Sequence, residues 1–175
     1  MKAWQVAIVL IVLGLVPGEV WAQSEERRPF GWDVARSVLI DPTTYVPAVL
    51  SHEAMRRDWK TSQVLFAHGW VEMNPRFTVS GLPNDVPVDY QEGTSRIHRA
   101  SLTILYHSAL NNVGAQVTER LLVARYPRRT TLVRTLSWVE RIAFASILAY
   151  RNSADHFRQV SINRRLASEY GYDTH

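Results

Sequence analysis

The chain has no cysteine and only two lysines among 175 residues. Without cysteine there is no disulfide, no cysteine nucleophile and no attachment point for the lipid that anchors a lipoprotein at its cut site. The scarcity of lysine leaves arginine to carry the positive charge, and a rigid guanidinium fork suits a carboxylate or phosphate better than a mobile ammonium does. Other signatures are missing too. There is no G-x-S-x-G turn, which excludes the serine nucleophile held between a strand and a helix. His52-Glu53 opens like the helical zinc motif H-E-x-x-H, but Arg56 stands where the second histidine is needed to reach the same ion one turn later. No E-x-x-H pair of the di-iron type occurs. Neither a metal nor another cofactor is expected.

What is present begins with an export signal. Lys2 is followed by the apolar run Ala7–Val16, by Pro17-Gly18 and by the small-residue exit Val20-Trp21-Ala22. The run is about half the roughly 20 residues that a membrane-spanning helix needs, and its order of parts is that of a cleavable signal. Residues 1–22 are therefore expected to be removed, leaving 23–175 as a single helical domain in the periplasm or outside the cell.

Proline, glycine and apolar spacing divide the rest. Asp41-Pro42-Thr43-Thr44 reads as a helix start, and Met55, Trp59, Ser62, Phe66 and Gly69 then recur at steps of three and four, predicting a helix from Thr43 to about Trp70. A shorter helix is expected over Trp32–Leu39. Residues 69–93 contain Pro75, Pro83 and Pro87, with Phe77, Val79, Val86, Val88 and Tyr90 alternating. This predicts a small β-hairpin or irregular insertion turning at Leu82-Pro83-Asn84-Asp85.

A second long helix is predicted from Thr94 to about Arg125, with Leu102, Tyr106, Ala109, Val113, Val117 and Leu121 on one face and Ile97, Ile104 and Leu122 on the other. Tyr126-Pro127 closes it. The third carries Leu132, Leu136, Val139, Ala143, Ile147, Tyr150, Ala154, Phe157 and Ser161 on one stripe, expected to be core, with a bend near Asn152-Ser153 and a stop at Gly171. The fold class that follows is all-α: an antiparallel helical bundle of three long helices plus one or two short ones, with the 69–93 insertion.

Charge is uneven along this frame. Between Glu119 and Arg165 ten arginines face three acids, whereas residues 23–118 are close to neutral. Arg125, Arg128 and Arg129 flank Pro127 at a helix junction, where free backbone N–H groups also point outward. They are candidate ligand-binding residues for an anion, joined by Asn111 and Asn112 in the middle of the central helix. Glu140, at the edge of the expected stripe, and His107 are the candidate acid and base. Arg56, Arg57 and Arg120 are possible partners of Glu140.

The leading expectation is an exported soluble envelope protein, non-enzymatic, that binds an anionic ligand, an envelope polymer or a protein partner. The alternative is an exported hydrolase with a carboxylate-based pocket under the 69–93 loop. No nucleic-acid module is present, and membrane contact is expected to be peripheral at most.

Overall fold

A computed structural model describes residues 29–172; the expected export segment, residues 1–22, lies outside the described residues. Among the described residues the chain is all-α, with four helices and no strand. They are α1 (Phe30–Ile40), α2 (Val46–Phe66), α3 (Tyr90–Arg125) and α4 (Thr130–Glu169). None of them is long and apolar enough to cross a membrane.

Local chemistry sets the ends of these helices. The Asp41 carboxylate accepts from the Thr43 amide at 2.9 Å and caps a short 3₁₀ turn, Pro42–Thr44, that feeds α2. Pro47 falls in the first turn of α2, where a missing N–H is harmless. α3 starts four residues earlier than its apolar pattern predicts, because Asp89 is the N-cap and accepts from the Glu92 amide at 2.8 Å. Tyr90, expected in a hairpin, thus opens a helix. α4 follows a 3₁₀ turn, Pro127–Arg129, and stays helical for about 60 Å, through the Asn152-Ser153 position where a bend is expected. Asn152 and Ser153 donate back to the carbonyls of Leu148 and Ala149 at 2.7 Å, so they stay within the helix. The helix ends at a left-handed Gly171 (φ 69°), with Tyr172 N–H reaching the Ala167 carbonyl.

The directions follow from who meets whom. α2 and α3 run antiparallel, as Thr44 bonds Asn112, His52 bonds Ser101 and Trp59 bonds the Tyr90 carbonyl. α3 and α4 are antiparallel through Asn111–Glu140 and Glu119–Arg134. α4 therefore lies parallel to α2, with Asp58 against His156 and Ser62 against Asn163.

Two apolar clusters result. Met55, Trp59, Phe77, Val88, Ile97 and Ile104 form one beneath the insertion, and Val34, Val38 and Val117 form the other beneath α1.

Two expectations about the core need correction. On α3, Ile97 and Ile104 are buried while Leu102 and Tyr106 face outward. On α4 the expected stripe, apart from the half-buried Ala154, is turned to the surface: Leu136 and Ile147 are both 59 % exposed and Tyr150 is 71 % exposed. The buried face is Arg141, Ala145, Ala149, Ser153, Val160, Asn163 and Ala167. Small side chains at steps of four let α4 approach its neighbours closely, and that decides the face over bulk apolarity.

The 69–93 insertion is irregular. Only two isolated antiparallel bridges form, Glu72 with Asp85 and Thr78 with Pro87. Pro75 begins a 3₁₀ turn, Pro75–Phe77, and Pro87 has no N–H to continue a ladder. Phe77 and Val88 point into the core, while Val79 and Val86 are exposed.

Candidate functional site

Helical spacing gathers a cleft of about 780 Å³ between α3 and α4, roofed at one end by the insertion. Glu92, Arg96, Arg99, Thr103 and His107 come from one face of α3; Leu148, Arg151, Asp155 and His156 come from one face of α4. Arg76 enters from the insertion, and Met55 of α2 contributes to the floor. Four guanidinium groups and two imidazoles thus surround one space with two carboxylates.

These arginines are held to different degrees. Arg96 donates to Glu92 at 2.8 Å and to the carbonyl of Arg76 at 2.8 Å, which staples the insertion to α3. Arg99 donates to Ser95 and lies 4.0 Å from Glu92. Arg76 and Arg151 have no carboxylate within 4.0 Å among the described residues. Positive charge is left uncompensated toward the opening.

Beneath the insertion a narrow pit of about 30 Å³, lined by Asp58, Glu72, Asn74 and His156, shares His156 and Met55 with the cleft. His156 Nδ1 lies 2.7 Å from Asp58 Oδ2. The other oxygen of Asp58 accepts from Asn163 Nδ2 at 3.1 Å. Asn163 is only 2 % exposed and is fixed in turn by Ser62 and Gln159. Glu72 Oε1 accepts from the Asn74 amide at 2.7 Å. Burial pushes the Glu72 carboxyl above its ordinary value of 4.5, against the pull of that amide.

The sign of the Glu72 effect is testable. A carboxyl whose folded value is raised stabilises the fold while protonated, and this contribution is lost as pH rises through the folded value. At neutral pH the ionised group carries a burial cost that an amide lacks. Glu72→Gln, which keeps the acceptor for Asn74, is expected to raise Tm at pH 7.5, with the gain shrinking at pH 4. Thermal unfolding at both pH values checks it, and equal or lower stability of the variant at pH 7.5 counts against it.

The residues expected from sequence are not gathered in one place. His107 lines the arginine cleft, whereas Glu140 lines a separate groove of about 470 Å³ between the later half of α3 and the start of α4, together with Asn111 and Glu119. Glu140 is exposed rather than half-buried, and its Oε1 accepts from Asn111 at 3.2 Å. None of its expected partners reaches it. Arg56 and Arg57 both bond Glu53, holding that carboxylate down at about 2, and Arg120 bonds the Asp33 carbonyl and Ser37. Asn112 is buried and donates to the hydroxyls of Thr43 and Thr44, tying α3 to the turn before α2. Arg125, Arg128 and Arg129 are exposed at the α3–α4 junction, and Arg125 stands roughly 27 Å along the helix from His107.

His52, from the broken zinc motif, lies against Ser101 at 3.0 Å with its ring 5.1 Å from that of His98. Burial first, and then the neighbouring His98 and Arg56, push it below its ordinary value. No group of three or more metal-ligating side chains occurs among the described residues.

Sequence reading overlooked Asp58, Glu72, His156 and Asn163. They come from three segments, Asp58 from α2, Glu72 from the insertion, and His156 and Asn163 two turns apart on α4, and only tertiary packing joins them. Comparison with protein-family models, with curated proteins and with solved structures found no match to this chain.

Proposed function

We propose that the protein is an exported antiparallel helical bundle whose arginine cleft binds a small ligand bearing a phosphate or carboxylate group. The observation that carries this reading is the convergence of Arg76, Arg96, Arg99 and Arg151 on one concave space, with Glu92 as the bonded counter-charge. Guanidinium groups fixed on rigid helices are preorganised for planar or tetrahedral oxyanions. The cleft, rather than Arg125, Arg128 and Arg129, is the preferred anion site, because its charges face one another across a concavity.

Inorganic pyrophosphate titrated at low salt is the direct test. Bound ligand at 100 times Kd raises stability by about 2.7 kcal/mol, which is visible as a rise in Tm. Losing one charge-assisted hydrogen bond costs about 1.5–3 kcal/mol, so Arg151→Gln and Arg99→Gln should each weaken binding by one to two orders of magnitude. The same loss in Arg128→Gln, with none in Arg151→Gln, would move the site to the helix junction.

The exposed apolar row of α4 favours a second reading, a protein partner. Leu132, Leu136, Val139, Ile147 and Tyr150 are exposed at helical spacing along one side of α4, and apolar side chains grouped in this way mark contact surfaces for other proteins.

A further inference from the structure

We propose that His156 is a general base for the hydrolysis of phosphate monoesters held in the arginine cleft, with Asp58 and Asn163 as its positioning residues. This inference rests on the anion-binding reading of the same cleft and adds chemistry to it.

Hydrogen-bond direction sets the tautomer of His156. Asp58 accepts from the buried amide of Asn163 through one oxygen and faces His156 Nδ1 at 2.7 Å through the other. A carboxylate can only accept, so Nδ1 carries the proton. In the neutral ring the lone pair then sits on Nε2. The side chain borders both the pit and the arginine cleft, which places a base at the junction of the two. Asn163 is itself locked by Ser62 and Gln159, so both tautomer and ring plane are set before any ligand arrives. A base whose far nitrogen is fixed by a partly buried carboxylate is an arrangement that suits general-base catalysis.

The charged surroundings come from every neighbouring element. Asp58 belongs to α2, and Glu72 and Arg76 to the insertion. Across the cleft stand Glu92, Arg96, Arg99 and His107 of α3, with Arg151 and Asp155 on α4 itself. Arg99 and Arg151 would grip the phosphoryl oxygens and take up charge that grows in the transition state. His156 Nε2 accepts a proton from water as the water oxygen bonds to phosphorus. The bond from phosphorus to the ester oxygen, in line with the attacking water, breaks; that oxygen leaves with the electron pair and takes a proton from solvent, while the imidazolium releases its proton to solvent. The products are an alcohol and inorganic phosphate, with the histidine regenerated.

The test uses the full chain, with p-nitrophenyl phosphate as substrate and inorganic phosphate as ligand. Hydrolysis by the wild type is expected, with a rising pH limb that disappears in His156→Gln along with a 10²–10⁴-fold loss of kcat/KM, while phosphate still binds. Asp58→Asn supplies a variant that keeps the contact but can donate to Nδ1, reversing the tautomer. It should lose comparable activity with phosphate binding retained. Long-range ¹H–¹⁵N spectra of the wild type should show the Nδ1–H form of His156. Phosphate binding without hydrolysis above the buffer rate, or an Nε2–H tautomer, overturns the inference and leaves the binding reading standing. Absence of both binding and hydrolysis overturns both.

Discussion

Arg141→Ala is expected to destabilise the protein by about 3–5 kcal/mol, the cost of leaving buried charges without their partner. The guanidinium side chain is 9 % exposed, and the two carboxylates against it, Asp41 and Glu119, are 15 % and 16 % exposed. Nη1 donates to Glu119 at 3.2 Å and to Ser137 at 2.7 Å. Nε lies 3.0 Å from Asp41 Oδ2 without the alignment of a hydrogen bond, so that contact is ionic. One side chain of α4 thus clamps both the α1–α2 turn and α3. Removing it leaves Asp41 without a cation within 4.0 Å among the described residues and Glu119 with only the distant Arg134, in a partly buried setting. Arg158→Ala, on the exposed side of the same helix, should cost less than about 1 kcal/mol. Denaturant unfolding of the two variants measures the contrast, and similar small losses for both would show that the clamp carries no weight.

Gly93→Ala should also be strongly destabilising, although alanine normally favours a helix over glycine by about 1 kcal/mol. A Cβ at Gly93 would fall inside the contact surface of the Trp59 indole. That ring has little freedom to yield. It stacks on Phe77 at 5.2 Å, leans on Phe66 at 5.7 Å and donates Nε1–H to the Tyr90 carbonyl at 3.2 Å. Overpacking at the upper end of about 1–3 kcal/mol, less the propensity gain, leaves a net loss of about 2 kcal/mol. Gly114, also within α3, has open space where its Cβ would go, so Gly114→Ala should instead stabilise by about 0.5–1 kcal/mol. Opposite signs at two glycines of one helix, read by unfolding and by Trp59 fluorescence, are the expected result. A stabilised Gly93→Ala would mean that the indole moves aside.

Helix existence was legible in the sequence because its causes are local. Asp41 before Pro42, Pro47 in a first turn, Tyr126-Pro127 and Gly171 each act on their own few residues. Hidden from view was which face of a helix would be covered. The apolar row from Leu132 to Phe157 has the right period for a core, yet Ala145, Ala149 and Ser153 occupy the interface, since close approach of α2 and α4 tolerates only small side chains there. The insertion is a mixed case: antiparallel bonds join Val79 to Val86 and Val88 to Phe77, but Pro87 between them withholds an N–H that a regular ladder needs. Of the candidate site, His107 alone was named in advance. Asp58 and Asn163 carry no local mark, and a histidine in a polar stretch of α4 looks like surface until α2 is laid beside it.

The contacts that define the histidine relay join positions 98 and 105 residues apart. Closing loops of that length is entropically opposed until many contacts form together. The joining of His156 and Asn163 to Asp58 therefore has no precursor in any shorter stretch of the chain, and it comes into being when the last helix seats against the first long one. A chain still on its way to that state can already hold Arg96 against Glu92 within one helix, but its His156 lacks the Asp58 contact that sets the ring.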